Sequence, residues 1–189
     1  MQDDAVSEVR QYDRPNRNRF LAALPAKDFS LLVPHLRTVT LERGATLHEA
    51  GDEIEYVYFP CGGMVSLVCV MKNGATVETA TVARGGIVGA TAGLGSRHGF
   101  STAIVQISGE VARIARPSFL SAAETSSAIR GLVFRYNDLL LSQIQRVRRA
   151  RARSISSHAS RGYRARPVRL PLRGPAPLAI SASVGTCDD

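Results

Sequence analysis

The sequence has few of the features that mark metal-binding, disulfide-rich or membrane proteins. Its cysteines, Cys61, Cys69 and Cys187, are odd in number, form no CxxC pair and have no histidine at ligand spacing. This pattern argues against a disulfide framework and against a zinc site. No segment approaches the roughly 20 apolar residues of a membrane span, and the N-terminus has no apolar signal segment. We therefore expect a cytoplasmic protein with reduced thiols, no metal and no membrane partner.

The sequence also lacks the motifs that identify the common classes of enzyme. The sequence contains no HExxH, no GxxxxGK[ST] and no paired-carboxylate pattern. Ser66, Ser101 and Ser108 do not lie in the glycine-flanked turn that exposes a nucleophilic serine. These absences argue against the well-marked enzyme classes, and we predict that the protein is not an enzyme.

The net charge is +8, and the excess of positive over negative charge is confined to one end of the chain. Residues 1–145 contain 14 Lys and Arg against 14 Asp and Glu, whereas residues 146–189 contain 10 Arg against 2 Asp. A basic composition indicates a nucleic-acid partner only for the segment that carries the charge. The body of the protein is therefore not predicted to bind nucleic acid.

The hydrophobic pattern divides the chain into an arm, a helical segment and a β-domain. Residues 1–19 are polar and charged, which predicts a mobile N-terminal arm. Apolar residues at steps of three and four then predict short helices broken at Pro25 and near Pro34. From Arg37 the period changes to two, with runs of Val, Ile, Thr and Tyr between glycines, and Asn73-Gly74 is the strongest hairpin signal. We predict a mainly β fold with flanking helices, an antiparallel double-stranded β-helix or jelly roll over residues 20–117.

A helical period returns after Pro117 and predicts a short helix and a long helix over residues 118–150. Ser121 and Glu124 have the spacing of a capping box for the long helix. Its apolar stripe consists of Ile129, Leu132, Val133, Tyr136, Leu140, Ile144 and Val147. Packing on the protein's own β-roll accounts for part of this stripe, but its length of about five turns favours contact with a partner helix. We therefore predict a homodimer through this long dimerisation helix.

Several segments resemble the Crp/Fnr family of bacterial transcription regulators. LERGATLHEAGDEIEYVYFPCGGMVSLV is similar to the opening strands of that family's cyclic nucleotide-binding domain. The matching positions are Gly51, Asp52, Tyr56, Tyr58, Phe59 and Gly63. VARGGIVGATAGLGSRHGFSTAIVQISGEVARIARPSFLSA resembles the family's phosphate-binding cassette, closing strands and short helix. The resemblance covers residues 20–145, about two thirds of the chain, and implies an effector-sensing domain followed by a dimer helix.

The resemblance places the ligand site in a degenerate phosphate-binding cassette. Its residues are Gly89, Ala90, Thr91, Ala92, Arg97, Ser101, Thr102 and Ala103. Members that bind cyclic AMP have Glu and Arg where this sequence has Ala90 and Ser101, so the side chains that hold the ribose and the cyclic phosphate are missing. Losing a bidentate charge-assisted pair lowers affinity by a few powers of ten. We expect a different small effector, or none, instead of cyclic AMP.

No cofactor is expected from the other sensor chemistries of the family. An iron–sulfur form needs cysteines clustered near the N-terminus, and none precedes Cys61. A haem form needs a well-placed axial ligand. His35, His48 and His98 are scattered singly, which is typical of structural histidines.

The last segment, residues 151–189, consists mainly of Arg, Ala, Ser, Pro and Gly without a hydrophobic period, which predicts disorder. A complete regulator of the family continues here into a winged helix-turn-helix. The tail is too short and too poor in apolar residues to form one, as expected of a truncated or frame-shifted reading frame, so specific DNA binding is not expected. Alternatively, its arginines bind nucleic-acid phosphates without sequence preference.

Three functional hypotheses remain open. The first is the effector-sensing and dimerisation part of a Crp/Fnr-type regulator. The second is a stand-alone ligand-binding or protein-interaction module. The third, an unmarked enzyme on a jelly-roll scaffold, ranks last because the sequence lacks a set of metal-ligand histidines.

Overall fold

The computed structural model of the protein describes residues 6–12, 17–70, 76–89 and 97–159. The strands are β1 (Val6–Gln11), β2 (Arg37–Leu41), β3 (Thr46–His48), β4 (Tyr56–Pro60), β5 (Met64–Val70), β6 (Thr76–Val82), β7 (Thr102–Ile107) and β8 (Gly109–Ala115). The helices are α1 (Arg19–Ala22), α2 (Ala26–Phe29), α3 (Arg116–Thr125) and α4 (Ser127–Ala159), with a 3-10 helix at Val33–His35. Short helices with a break at Pro25 are therefore confirmed, and Pro34 lies within the 3-10 helix.

The strands form two four-stranded antiparallel sheets, in the orders β1-β2-β8-β4 and β3-β7-β5-β6. This confirms the predicted mainly β antiparallel fold with helices before and after it. Strands β5 and β6 pair from Val65 with Val82 to Val70 with Thr76, as expected of a hairpin. The Asn73-Gly74 turn itself lies outside the described residues.

Two hydrophobic cores lie on opposite faces of the first sheet. The roll core is formed by side chains from both sheets, among them Val39, Tyr58, Val65, Ala103 and Val111. The helix-side core packs the other face of the first sheet against the helices. Its sheet residues are Val57, Phe59, Ala112 and Ile114. Strand β4 contributes alternate side chains to the two cores, which explains why it is buried along nearly its whole length.

The prediction of a mobile arm over residues 1–19 is wrong where the structure describes it. Residues 6–11 form β1, which pairs with β2, and Tyr12 is buried. Asn18 is fully buried: its amide donates to the carbonyls of Pro60 and Gly86 at 2.8 and 3.0 Å, and its oxygen accepts the N–H groups of Phe20 and Leu21. The polar composition of this segment predicted mobility incorrectly, because an edge strand and a helix cap are stabilised by hydrogen bonds rather than by buried apolar area.

Helix α4 begins after a different cap from the predicted one. Ser121 and Glu124 lie inside α3, so the capping box at these positions is wrong. Ser126 caps α4 instead: its hydroxyl accepts the Ile129 N–H at 3.1 Å and donates to Asp28 at 2.6 Å. The serine in the break between the two helices is the one whose side chain is free to turn back onto the helix end.

Helix α4 continues to Ala159, which corrects the predicted end at residue 150 and the prediction of disorder for residues 151–159. The remaining tail lies outside the described residues. The six side chains predicted for a dimer contact face the protein's own β-roll. Ile129, Leu132, Val133 and Tyr136 pack in or against the helix-side core, and Leu140 and Ile144 pack against the roll core. Ile129 and Val133 are fully buried in this way and are not available to a dimer seam, whereas Leu132, Tyr136, Leu140 and Ile144 are partly buried against the β-roll.

Candidate functional site

The first part of the predicted cassette is held against β4. Val88 and Tyr58 exchange both backbone hydrogen bonds, at 2.8 and 3.0 Å, which docks the cassette start on the edge of the first sheet. Gly89 has a φ of +82°, and a Cβ there would lie 2.9 Å from the Tyr56 carbonyl oxygen. Both facts require glycine at this position. Ala90, Thr91 and Ala92, the next predicted site residues, lie outside the described residues.

The returning part of the cassette is held by the segment between β3 and β4. The N–H groups of Gly51 and Ile54 donate to the carbonyls of Gly99 and Arg97, at 2.8 and 3.0 Å. The Ala50 N–H donates to the Thr102 hydroxyl at 3.2 Å. Ser101 and Thr102 therefore lie at the entry to β7, where the structure places them together with the buried Ala103.

Arg97 makes an exposed ion pair. Its guanidinium lies 3.4 Å from Glu53, and Arg116 approaches the same carboxylate at 4.0 Å. The side chains of Arg97 and Glu53 are more than half exposed, so the pair contributes little to stability. Arg97 thus contacts Glu53 at the surface beside the cassette.

His48 is a buried histidine that sequence reasoning classed only as structural. It is 5% exposed, and its pKa is lowered by burial, against the opposing effect of Asp52. Its imidazole donates to the Ser101 carbonyl, while Nδ1 has no hydrogen-bond partner. A Cβ on Gly99 would lie 2.8 Å from the imidazole. The neutral ring therefore packs directly against the returning cassette segment.

Arg113 brings a cation next to the cassette. Its register partner on β4 is Tyr58, the residue that holds Val88. The Arg113 guanidinium lies 4.5 Å from the centre of the Tyr56 ring and hydrogen bonds the Tyr58 hydroxyl. Burial raises the pKa of Tyr58 to about 12, so this hydroxyl stays protonated and polar inside the roll. Sequence reasoning missed Arg113, because an alternating strand gives no signal that one of its charged residues faces a core.

Helix α4 touches the start of the cassette through Tyr136. The Ile87 N–H donates to the Tyr136 hydroxyl, and burial raises the pKa of this phenol. A Cβ on Gly86 would lie 2.5 Å from the same oxygen, so the contact requires glycine there. The Tyr136 ring meets Phe20 edge-on with centroids 6.3 Å apart. Tyr136 therefore connects α4 to the start of the cassette by direct contact.

The opposite face of α4 presents a second stripe at steps of three and four. This outer stripe consists of Gly131, Phe134, Asp138, Leu141 and Gln145. Phe134 and Leu141 are 59% and 56% exposed, although both are large apolar side chains. Steps of three and four are the spacing at which two helices pack side by side.

Two further properties concern the described residues only. Within residues 6–159 as described, no group of three or more His, Cys, Asp and Glu side chains is arranged to hold a metal ion. None of the described helices combines the length and apolarity needed to cross a membrane.

Two antiparallel sheets, helices on both sides and a cassette between β6 and β7 define an antiparallel β-sandwich of the cyclic nucleotide-binding type. Residues 38–126 match the family model of the cyclic nucleotide-binding domain. The domain that this family model describes is a regulatory, sensor-type fold. No curated protein is significantly similar to the sequence.

Solved structures share the fold at low sequence identity. A cyclic nucleotide-binding domain from Methylobacillus flagellatus KT has a TM-score of 0.53 and 16% identity over 71% of this chain and 74% of that one. The N-terminal domain of a transcriptional regulator from Streptomyces coelicolor A3(2) has a TM-score of 0.52 and 20% identity over 71% of this chain and 94% of that domain.

The c-di-GMP-responsive global regulator CLP from Xanthomonas campestris has a TM-score of 0.56 and 15% identity over 65% of this chain. The match spans 62% of the length of CLP. At these identities the likeness concerns the fold.

Proposed function

We propose that the chain is the effector-sensing and dimerisation part of a Crp/Fnr-type transcription regulator. The observation that carries the proposal is the double contact of α4. Its inner face bonds the cassette start through Tyr136 and Ile87, and its outer stripe leaves Phe134 and Leu141 without cover. One helix thus links a ligand site to a partner surface, as a two-state sensor requires. The regulator names of two similar folds support the transcriptional role.

The effector is proposed to be a small anion bound at the cassette, with cyclic AMP bound only weakly. Ala90 and Ser101 offer no charge for a ribose hydroxyl or a cyclic phosphate. Arg113 on β8 is the register partner of Tyr58, and Tyr58 pairs with Val88 at the cassette start. Arg113 therefore supplies a cation that is separated from the cassette start by strand β4 alone. An arginine already aligned by two tyrosines retains donors for a bidentate contact with an anion.

A gain-of-binding experiment tests whether the cassette is the ligand site. The double variant Ala90→Glu with Ser101→Arg is expected to bind cyclic AMP about 10²- to 10³-fold more tightly than the wild type, by isothermal titration calorimetry. The matched neutral control, Ala90→Gln with Ser101→Gln, is expected to gain nothing. Tight binding by the wild type, or equal affinity of the two double variants, would contradict the proposal.

The dimer is proposed to form through the outer stripe of α4. Two copies packed along Gly131, Phe134, Asp138, Leu141 and Gln145 bury the exposed apolar side chains, and Gly131 has open space around its Cα that permits close approach of a helix. Because the inner stripe is already occupied by the β-roll, this seam leaves the domain core intact.

A second candidate function follows from the charge distribution. Residues 146–189 contain 10 Arg against 2 Asp, and α4 extends into this segment. Such a segment binds phosphates of nucleic acid with little sequence preference and with a steep dependence on salt. Gel-shift assays with two unrelated duplexes at low and moderate salt test this function. Equal, salt-sensitive binding of both duplexes supports it, and the absence of binding at low salt rejects it.

A further inference from the structure

We propose that a groove between β6 and the middle of α4 binds a small amphipathic carboxylate, at a site separate from the predicted cassette residues. The groove has a volume of about 410 Å³. Its described walls are the segment from Thr81 to Gly86 on one side and the helix from Tyr136 to Arg146 on the other. None of the predicted cassette residues is among them. The size lies within the range of small-molecule sites.

The floor of the groove is apolar. It is formed by Val82, Tyr136, Leu139 and Leu140. Leu139 is 64% exposed, whereas Val82 and Gly86 on the facing wall are buried. Gly85 and Gly86 lie on the facing wall, where Gly86 packs against Tyr136 and Val82. An apolar chain laid here covers Leu139 and removes its apolar surface from water.

The charge around the groove is positive. Arg146 is one of the lining residues, and the Arg19 side chain passes 3.9 Å from the position that a Cβ of Gly85 would take. The described lining residues include no carboxylate. Glu78, on the strand that carries Thr81, has both carboxylate oxygens engaged by the hydroxyls of Ser66 and Thr81, at 2.6 and 3.0 Å.

A neutral hydrogen-bond donor lies beside the cationic end of the groove. Gln143 lies one turn before Arg146 on the same wall and offers an amide to a carboxylate. The ligand class that matches an apolar floor with a cationic end is a carboxylate on an apolar chain. The arginine-rich tail of the same chain is the wrong occupant, since its charge has the same sign as Arg19 and Arg146.

Calorimetric titration of the full chain tests the site, with decanoate below its micelle-forming concentration as the probe. We expect saturable binding with one site per chain. Acetate, which lacks the apolar chain, and decyltrimethylammonium, which reverses the charge, are expected to show no saturable binding. Equal binding of decanoate and decyltrimethylammonium would overturn the proposal, because it would show non-specific apolar adsorption.

Matched variants locate the site. Leu139→Gln and Arg146→Gln are each expected to weaken decanoate binding about tenfold or more. Leu31→Gln and Arg135→Gln alter the same residue types outside the groove and are expected to leave the affinity unchanged. If the control variants lose as much affinity as the groove variants, or if neither pair loses any, the site is rejected. Since Leu141 belongs to the outer stripe and Leu139 does not, failure of the groove and failure of the dimer are distinguishable.

Discussion

The two faces of α4 have similar apolar side chains but opposite surroundings. On the inner face Ile129 and Val133 are fully buried, whereas on the outer stripe Phe134 and Leu141 are more than half exposed. A helical period in the sequence reports that a face is apolar but does not report which partner covers it. In this helix the longer apolar stripe packs on the chain's own β-roll, and the shorter outer stripe is the candidate for contact with another chain.

Truncating one side chain on each face is expected to give the largest difference in the free energy of unfolding between the two faces. Ile129→Ala is expected to lower the free energy of unfolding by about 2–5 kcal/mol, because it leaves a cavity in the helix-side core. Phe134→Ala is expected to change it by about 0.5 kcal/mol or less. Urea unfolding in a Leu141→Glu background, which removes any contribution of association, measures both. Similar losses for the two variants would show that the faces are equivalent.

The start of α4 provides a second, smaller contrast. Ser126→Ala removes the helix cap and leaves the buried Asp28 carboxylate without its hydroxyl donor. We expect a loss of about 1–3 kcal/mol. Ser121→Ala, in the middle of α3, is the matched control and is expected to lose about 0.5 kcal/mol or less. A larger loss at Ser121 than at Ser126 would restore the capping box that the sequence predicted.

A pH effect of still smaller size is expected from His48 at the cassette. Burial lowers the pKa of His48 in the folded chain, so the unfolded chain takes up a proton near pH 6.5 where the folded chain stays neutral. Stability should therefore fall as the pH drops from 7.5 to 5.5. His48→Gln is expected to flatten this dependence, whereas variation of the exposed His35 to Gln should preserve it. Because His48→Gln risks misfolding, imidazole NMR titration of the wild type is the second measurement, and a His48 pKa at or above the ordinary histidine value of 6.5 would refute the assignment.

The sequence predicted the fold class well for a physical reason. Alternating apolar residues between glycines have one favourable arrangement, a sheet with one face in a core, and this pattern identified the strands from β2 to β8. The same reasoning failed for β1, whose sequence VSEVRQ resembles a polar linker. Its place depends on backbone hydrogen bonds to β2, and these do not depend on apolar composition.

The site was less predictable than the fold. Resemblance pointed to Gly89 and to the entry of β7, and the structure places them near β4 and β3. His48 and Arg113 can be recognised as neighbours of the site only from the strand pairing, which places β3 beside β7 and β8 beside β4. Residues distant in sequence meet in this way without any local signal. The contact between Tyr136 and Ile87 is also one between residues distant in sequence. The helical spacing of Tyr136 predicts only that it lies on an apolar stripe, not which residue it contacts.

The division of α4 into an inner face for the domain and an outer stripe for a second copy is tested most directly by sedimentation equilibrium. The wild type and Leu139→Glu are expected at twice the monomer mass, and Leu141→Glu at the monomer mass with an unchanged far-ultraviolet circular dichroism spectrum. Leu139 and Leu141 are matched, since both are exposed leucines two positions apart on one helix. A monomeric wild type at high concentration, or a dimer that survives Leu141→Glu, would contradict the account.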